Sequence, residues 1–327
     1  MVNRVPNRVP IAVDFPDGPA WVAQPVTFTP FASVRACSAR CGFCSEALVR
    51  QGQGRPAASF RPGEGYHRSL ADGLALLAGV HMGLSMSGLE AADHVGWMEQ
   101  TLSVLSAHPH WTTRVLYSNG NGFCGPERDR LVSALLGFGW TRIEFSRHAE
   151  EADRNAGIMR FRKGTRAGDG PTFEAMVADV GQSVPARLVC IVQQGGICDA
   201  DGVRRYLDWA HRLGVRDVVF RELSKLSDRY APNRTALFIQ RNRVDVHALL
   251  ASVLSQVDWN EDQSTEGYYY ANRSFWRDDM RVTFEASDYN QMHAAHDGGL
   301  VRKLVFFANG TLCGDWDPNT RVLWRAG

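Results

Sequence analysis

The sequence has no apolar run long enough to cross a bilayer. A membrane-spanning helix needs about 18 or more consecutive apolar residues, and no stretch of this chain approaches that length. The opening segment, MVNRVPNRVPIAVDFPDGP, has no apolar stretch behind its basic residues, so it does not resemble a secretion signal. We therefore predict a cytoplasmic protein that has no membrane partner.

The sequence also lacks a strong net charge. Its 36 Lys and Arg residues nearly balance its 35 Asp and Glu residues, which gives a formal net charge of +1. Because a protein without a basic field has little general attraction for a phosphate backbone, nucleic acid is not expected as a partner. The hydrophobic fraction, 44% of 327 residues, is enough to bury a large core.

The cysteines do not suggest a disulfide framework. They number seven, which is odd; three of them lie between Cys37 and Cys44, and the others are isolated along the chain. This crowding is typical of metal binding in a reducing compartment rather than of paired structural disulfides.

From residue 21 onward, short apolar runs alternate with segments that have apolar residues at helical spacing. The runs predict strands at 21–29, 83–86, 114–117, 142–145, 187–192 and 217–220, and the spacing predicts helices at 67–77, 94–105, 127–136, 173–180 and 201–213. Alternation at about thirty residues per unit indicates right-handed βαβ crossovers. We predict an α/β fold, a partial (β/α)6 TIM-like barrel, because six units appear where a closed barrel needs eight.

Changes in composition divide the chain into three predicted regions. Residues 1–20 are predicted to be an irregular N-terminal arm, 21–232 the barrel, and 233–327 a small C-terminal α+β cap that forms a substrate region. In the cap a helix is expected at about 244–257, followed by an antiparallel tract. The segment Ala308-Asn309-Gly310 predicts a hairpin there, because Asn and Gly tolerate the positive φ of tight turns.

The most specific feature of the sequence is the segment Cys37-Ser38-Ala39-Arg40-Cys41-Gly42-Phe43-Cys44. So short a loop can bring three thiolates to one face of an iron-sulfur cube and leave one iron open for a ligand. Cys41 and Cys44 alone form CxxC, which also occurs in thioredoxin-like redox pairs and in zinc sites. A redox pair has no use for Cys37, and a zinc site needs a fourth ligand with local spacing.

This segment resembles the CxxxCxΦC signature of radical S-adenosylmethionine (SAM) enzymes, with Phe43 in the aromatic position. The resemblance implies a [4Fe-4S] cluster held by Cys37, Cys41 and Cys44. It also implies that SAM binds the open iron and is cleaved reductively to a 5'-deoxyadenosyl radical. An external one-electron reductant such as flavodoxin or ferredoxin would then be a partner.

The same resemblance implies SAM contacts at successive strand ends. Arg160 and Arg162 compete with Arg147 as the clamp on the SAM carboxylate, and Glu90 has the alternative role of capping the following helix. The implied SAM-binding residues are Phe43, Ser87, Gly88, Glu90, Ser118, Asn119, Ser146, Arg147, Val192 and Val219.

Several residues of the chain keep two interpretations. Cys124, Cys198 and Cys313 are candidate hydrogen-atom donors or extra cluster ligands, or else small buried hydrophobes. Arg221-Glu222 is either part of the active site or an ion pair that braces the barrel rim. The aromatic residues of the tract 268–276 either line a substrate pocket or fill the core of a small sheet.

The function predicted from these features is radical SAM chemistry on a small molecule, such as a nucleoside, a sugar or another biosynthetic intermediate. The alternative within the class is modification of a peptide. Outside enzymology, the chain could be an iron-sulfur electron carrier or a zinc-stabilised binding module.

Overall fold

The structure, a computed structural model, describes residues 2–4, 8–31 and 33–326. The strands are β1 (Val2–Arg4), β2 (Arg8–Phe15), β3 (Gly18–Pro30), β4 (Met82–Met86), β5 (Trp111–Ser118), β6 (Arg142–Ser146), β7 (Ala186–Val192), β8 (Asp217–Glu222), β9 (Asn260–Glu266), β10 (Tyr270–Arg277), β11 (Met280–Ser287), β12 (Val301–Phe306), β13 (Thr311–Cys313) and β14 (Val322–Arg325). The helices are α1 (Tyr66–Ala75), α2 (Val95–Leu105), α3 (Arg128–Phe138), α4 (Ala152–Met159), α5 (Gly170–Val180), α6 (Ala200–Arg212), α7 (Arg234–Asn242), α8 (Val246–Leu254) and α9 (Tyr289–Asp297). None of these helices is long and apolar enough to span a membrane.

Six parallel strands form the centre of the fold. Strands β3 to β8 lie side by side in chain order, and each pairs in parallel with the next. Strand-to-helix alternation leads to this order because a right-handed crossover returns each strand beside the previous one. The predicted partial (β/α)6 barrel is confirmed, and in the described residues the sheet does not close on itself.

The C-terminal strands extend both edges of this sheet. β12 pairs in parallel with β3, and β11 pairs in parallel with β8. Beyond them, β13 and β14 on one side and β10 and β9 on the other continue as antiparallel strands. The Asn309-Gly310 hairpin is confirmed between β12 and β13, and Gly310 has a φ of 75°. The division of the chain at residue 232 stays a prediction.

The N-terminal arm is more regular than its composition suggests. Residues Arg8–Phe15 form β2, which pairs antiparallel with β3 from Gly18 onward, so the prediction of an irregular arm is wrong for these residues. The turn between them ends at Gly18, whose φ of 119° is strained for other residue types. Pro and Arg are tolerated here because β2 pairs on one side only.

Side chains alternate between the two faces of the barrel strands. On β7, Leu188, Cys190 and Val192 belong to the hydrophobic core that the strands share with the outer helices. The alternate residue Arg187 faces the interior, where it binds Glu144 of β6 at 3.2 Å. Since side chains of a strand have a period of two, this alternation decides which residues face the barrel interior.

The interior contains a network of ion pairs centred on Glu144, which is 1% exposed. Arg142 donates to it at 2.7 Å, and Arg221 lies 3.7 Å away and also contacts Glu285 of β11 at 2.5 Å. Burial raises the pKa of Glu144, but Arg221, Arg142 and Arg187 lower it more, so the net shift is downward. The network therefore connects strands β6, β7, β8 and β11 electrostatically.

We predict that Glu144→Gln destabilises the fold. Removing one charge from a buried network leaves its partners uncompensated, which costs about 3–5 kcal/mol of the free energy of unfolding. Because the folded pKa is lowered, the contribution of Glu144 is present above its unfolded pKa of about 4.3 and is lost as the pH falls through the folded value. Urea unfolding at pH 7 and at lower pH measures both effects.

The matched control is Glu261→Gln, which breaks the pair with Arg273, where both side chains are exposed. Exposed pairs contribute about 0–1 kcal/mol, so this variant should unfold nearly like the unmodified protein. Equal losses in the two variants would show that the interior network does not stabilise the barrel.

Candidate active site

The three clustered cysteines lie on the loop that follows β3, at the carboxyl end of the barrel strands. Backbone hydrogen bonds connect this loop to the end of α4 and to the segment after it: Arg40 N donates to Met159 O at 2.9 Å, and Arg162 N donates to Ser38 O at 2.8 Å. On the other side, Ser38 N donates to the Asp93 carboxylate at 3.1 Å. The loop is therefore held in place from both sides, as a preorganised site requires.

The three thiols of this loop belong to half-buried residues. Burial raises the pKa of Cys37 to about 12 and that of Cys44 to about 11. The pKa of Cys41 is raised further by burial and then by the charges of Cys44 and Cys37. N–H groups point at one sulfur, since Ala39 N lies 3.3 Å and Asn119 Nδ2 lies 3.6 Å from Cys37 Sγ.

These surroundings fit a cluster better than free thiols. The charge of Cys44 raises the pKa of both Cys37 and Cys41, so thiolates here need positive charge beside them, which iron supplies. N–H donors to cysteine sulfur are among the interactions that tune iron-sulfur clusters. In the described residues no three His, Cys, Asp or Glu side chains surround one single-ion position. In a cubane each cysteine binds a different iron, so its ligands need not converge on a single point.

Phe43 packs against a histidine that sequence reasoning missed. Its ring meets the ring of His148 edge-on, with centroids 5.1 Å apart. Ile191 N donates to His148 Nδ1 at 3.0 Å, and burial lowers the pKa of His148 to about 3, so the ring is neutral. The available signal was its spacing of two from Ser146, the last residue of β6, because extended backbone past the strand end would place both side chains on the same side.

Glu90 joins the ends of β4 and β5. Ser118 Oγ donates to one carboxylate oxygen at 2.8 Å, and Asn119 N donates to the other at 2.6 Å. Ala92 N donates at 3.3 Å, so Glu90 also caps the short turn that follows it. Burial raises the pKa of Glu90 to about 8. The oxygens of Glu90 are thus occupied by the protein's own donors. The side chain of Asn119 extends this network, since its Nδ2 donates to Ser38 Oγ at 2.8 Å.

A tight backbone turn carries the predicted contacts Ser87 and Gly88. Gly88 has a φ of 92° and Leu89 one of 59°, both in the left-handed region. A Cβ on Gly88 would lie 2.8 Å from the ring of Phe31, so glycine permits this close approach. Ser33 Oγ donates to Gly88 O at 2.9 Å. Ser87 is half-buried beside this turn.

Two predicted SAM contacts do not face the cysteine loop. Arg147 is fully buried on the helix side of the sheet, where its guanidinium lies over the rings of Phe173 and Trp209 at 4.9 and 5.5 Å. Val192 lies in the helix-side core, whereas its neighbour Ile191 packs beside Phe43. In both cases the strand alternation places the adjacent residue, not the predicted one, inside the barrel.

The remaining predicted contacts lie at positions compatible with the prediction. Ser146 is half-buried at the end of β6, on the opposite face from Arg147, and Val219 is buried outside the helix-side core. Arg162 Nε donates to Cys37 O at 2.8 Å, and Arg160 lies over the ring of Phe238, 5.8 Å from its centroid. Both competing arginines therefore lie beside the cysteine loop.

The other candidates lie apart from one another. Cys124 and Cys198 are half-buried and pack against the main core, while Cys313 is buried on β13 beside Phe31 and Val305. Burial raises the pKa of both Cys124 and Cys313. Their role as hydrogen donors stays a prediction. Arg221 and Glu222 each form ion pairs, with Glu285 and Arg243 respectively.

A pocket adjoins the cysteine loop on the side of the C-terminal segment. It is lined by Glu46, Arg50, Tyr230, Tyr289, Trp316 and Asp317, among others. Arg50 binds the buried Asp315 at 2.5 Å, and Asp315 also lies 3.2 Å from His296. This network fixes the segment Asp315-Trp316-Asp317 as one wall of the pocket. In the aromatic tract 268–276, Tyr268 contacts this network, because its ring packs against the ring of His296.

Solved structures with the same architecture include SuiB from Streptococcus suis. SuiB bound to S-adenosylmethionine matches with a TM-score of 0.53 and 12% identity, covering 90% of this chain and 61% of SuiB. SuiB bound to its precursor peptide SuiA gives a TM-score of 0.54 at 12% identity over 89% of this chain and 59% of SuiB. This chain has the radical SAM fold.

The likeness in fold is distant in sequence. No protein-family model matches the chain, and no curated protein sequence matches it. The chain spans about three fifths of the length of SuiB. A weaker likeness, with a TM-score of 0.44 and 10% identity, covers 76% of this chain and 66% of Escherichia coli coproporphyrinogen III oxidase HemN, described as a radical SAM enzyme.

Within the radical SAM fold, the loops after β4 and β5 touch through Gly122. A Cβ at this position would overlap the carbonyl oxygen of Ala92, which is backbone and cannot move aside. We predict that Gly122→Ala lowers the free energy of unfolding by about 1–3 kcal/mol, as overpacking does. The site should also lose order, which hydrogen exchange at Asn119 and Asn121 measures.

The control for this prediction is Gly137→Ala on the exposed face of α3, where an added Cβ meets nothing within 4 Å. Alanine is favoured over glycine in a helix interior by about 0.5–1 kcal/mol, so the control should be stabilised. If Gly122→Ala were also stabilising, the close contact between the two loops would be refuted.

Proposed function

We propose that this chain is a radical SAM enzyme, in which a [4Fe-4S] cluster delivers an electron to SAM and releases a 5'-deoxyadenosyl radical that abstracts hydrogen from a substrate. The observation that carries the proposal is the CxxxCxΦC loop at the carboxyl end of a partial parallel barrel. Active sites of such barrels are built from loops at this end. The cluster ligands are Cys37, Cys41 and Cys44.

The surrounding residues prepare this site in three ways. Asn119 donates to the Cys37 sulfur and to Ser38, so it connects the cluster loop with β5. Glu90, whose oxygens are occupied, positions Ser118 and Asn119 by accepting a hydrogen bond from each. Phe43 and the neutral His148 exclude water from one side of the loop.

The SAM contacts we propose follow from which residues face the loop. They exclude Arg147 and Val192, which lie on the helix side, and Glu90, whose oxygens accept from the protein's own donors. Arg162 takes the place of Arg147 as the candidate clamp for the SAM carboxylate because its guanidinium already contacts the cysteine loop. The proposed set is Phe43, Ser87, Gly88, Ser118, Asn119, Ser146, Arg162 and Val219.

The substrate we propose is a small biosynthetic intermediate. The pocket beside the cysteine loop is enclosed by the segment Asp315-Trp316-Asp317 and by Tyr230 and Tyr289, which suits a compact molecule. The second candidate is a peptide, because the SuiB structure of the same fold holds the precursor peptide SuiA. An external one-electron donor such as flavodoxin or ferredoxin would supply the electron.

The decisive experiment compares Cys41→Ala with Cys190→Ala after anaerobic reconstitution with iron and sulfide. Cys190 is buried on the helix side of β7, so its loss removes a thiol without touching the loop. We expect about four irons per chain in the unmodified protein and in Cys190→Ala, with 5'-deoxyadenosine formed after reduction with dithionite. Cys41→Ala should fold but neither keep the intact cluster nor cleave SAM.

Full iron content and SAM cleavage in Cys41→Ala would refute the ligand assignment. Zinc without iron in anaerobically isolated protein would favour a zinc-stabilised binding module. An iron-sulfur cluster without SAM cleavage would favour an electron carrier.

A further inference from the structure

Lys303 is a buried lysine without an ionic partner. It is 5% exposed, and among the described residues no carboxylate lies within ion-pair distance of its ammonium group, which lies against the ring of Trp316. Burial lowers its pKa to about 7, although the charge of Glu46 opposes this. A buried charge that the protein leaves unpaired costs folding free energy, which a bound anion would offset.

The strand alternation places Lys303 inside the barrel. On β12, the neighbours Leu304 and Phe306 belong to the helix-side core, and Phe306 packs against Tyr66 of α1. Lys303 and Val305 therefore face the opposite side, and Val305 belongs to a separate cluster beside Phe31. This side is the barrel interior, next to the cysteine loop.

A second unpartnered polar group lies on the same face. The hydroxyl of Thr29 on β3 is buried and has no hydrogen-bond partner among the described residues. Thr29 pairs with Val305 across the two parallel strands, and Lys303 pairs with Thr27. Paired residues of neighbouring strands point to the same face, so Thr29 and Lys303 offer two hydrogen-bond donors to one region.

Trp316 connects this region to the pocket beside the cysteine loop. The ammonium of Lys303 lies 3.4 Å from the centroid of the Trp316 ring. Trp316 also lines the pocket, together with Glu46, Tyr230 and Tyr289. The ammonium of Lys303 therefore lies against a tryptophan ring that also lines the pocket, and the proposed function assigns this pocket to the substrate.

We propose that Lys303, assisted by Thr29, binds a carboxylate of the substrate whose apolar or aromatic part packs against Trp316 and the tyrosines. This deepens the proposed function and rests on it. One ammonium and one hydroxyl match a single negative charge. A phosphate dianion would place its second charge near Glu46 and Asp317, which also line the pocket.

The position of Lys303 assigns it to the substrate rather than to SAM. Glu90, Ser118 and Ser146 lie at the ends of β4, β5 and β6, on one side of β3. β12 lies on the other side of β3. SAM also has a carboxylate that could bind Lys303. An experiment must therefore distinguish SAM binding at this lysine from substrate binding.

The test uses phenylacetate as the probe and phenylacetamide as its uncharged counterpart, titrated into reconstituted full-length protein by calorimetry. A charge-assisted hydrogen bond corresponds to roughly a tenfold or larger gain in affinity, so phenylacetate should bind at least about tenfold tighter. Lys303→Met should abolish this preference, Lys303→Arg should keep most of it, and Thr29→Val should weaken it. The control Lys225→Met, at an exposed lysine that pairs with Asp288, should not change it.

The outcomes separate this proposal from the function on which it rests. Equal binding of the two probes, or a preference that survives Lys303→Met, overturns the carboxylate site. SAM affinity should be unchanged in Lys303→Met, and a parallel loss of SAM affinity would assign the lysine to SAM and also overturn it. A Lys303-dependent preference in protein that does not cleave SAM would keep the carboxylate site and refute the radical SAM function. Thermal unfolding of each variant tests whether it folds. If Lys303→Met does not fold, the affinities of Lys303→Arg for the two probes decide between the outcomes.

Discussion

The buried carboxylate of Glu90 is the interaction on which the organisation of the site depends. It accepts hydrogen bonds from Ser118 Oγ and Asn119 N, and so it ties the end of β4 to the end of β5. Asn119 in turn reaches Ser38 Oγ and the Cys37 sulfur. The cysteine loop is therefore positioned by the barrel strands and not by its own short backbone alone.

Much of this architecture could be predicted because it is local. The six parallel strands follow from apolar runs that alternate with helical spacing, and the Asn309-Gly310 hairpin follows from the turn preference of two residues. The cysteine motif is equally local, since three ligands lie within eight residues. Each of these features depends on interactions between residues that are close in the chain.

The features that could not be predicted depend on distant residues. Strands β11 and β12 join opposite edges of the sheet in parallel, and nothing in their own sequences specifies those neighbours. Helices α4, α7 and α9 were not predicted, because they are short and have few large apolar side chains, whereas the equally short α8 contains a run of Val and Leu residues. At strand ends, a shift of one residue moves a side chain to the other face, and the predicted SAM contacts Arg147 and Val192 lie on the helix side.

The distribution of charge inside the barrel divides its interior into two parts. Across β6, β7, β8 and β11, the charges of Glu144, Arg187 and Arg221 are paired, although Glu144 Oε2 and Arg187 Nε make no hydrogen bond. At β12 and β3, Lys303 faces the interior with no carboxylate within ion-pair distance among the described residues, and the Thr29 hydroxyl has no hydrogen-bond partner there. Because a buried charge without a counter-charge costs more free energy than a paired one, the second part is where binding an anion gains the most. Lys303 also interacts electrostatically with Glu46, which lies two residues after Cys44.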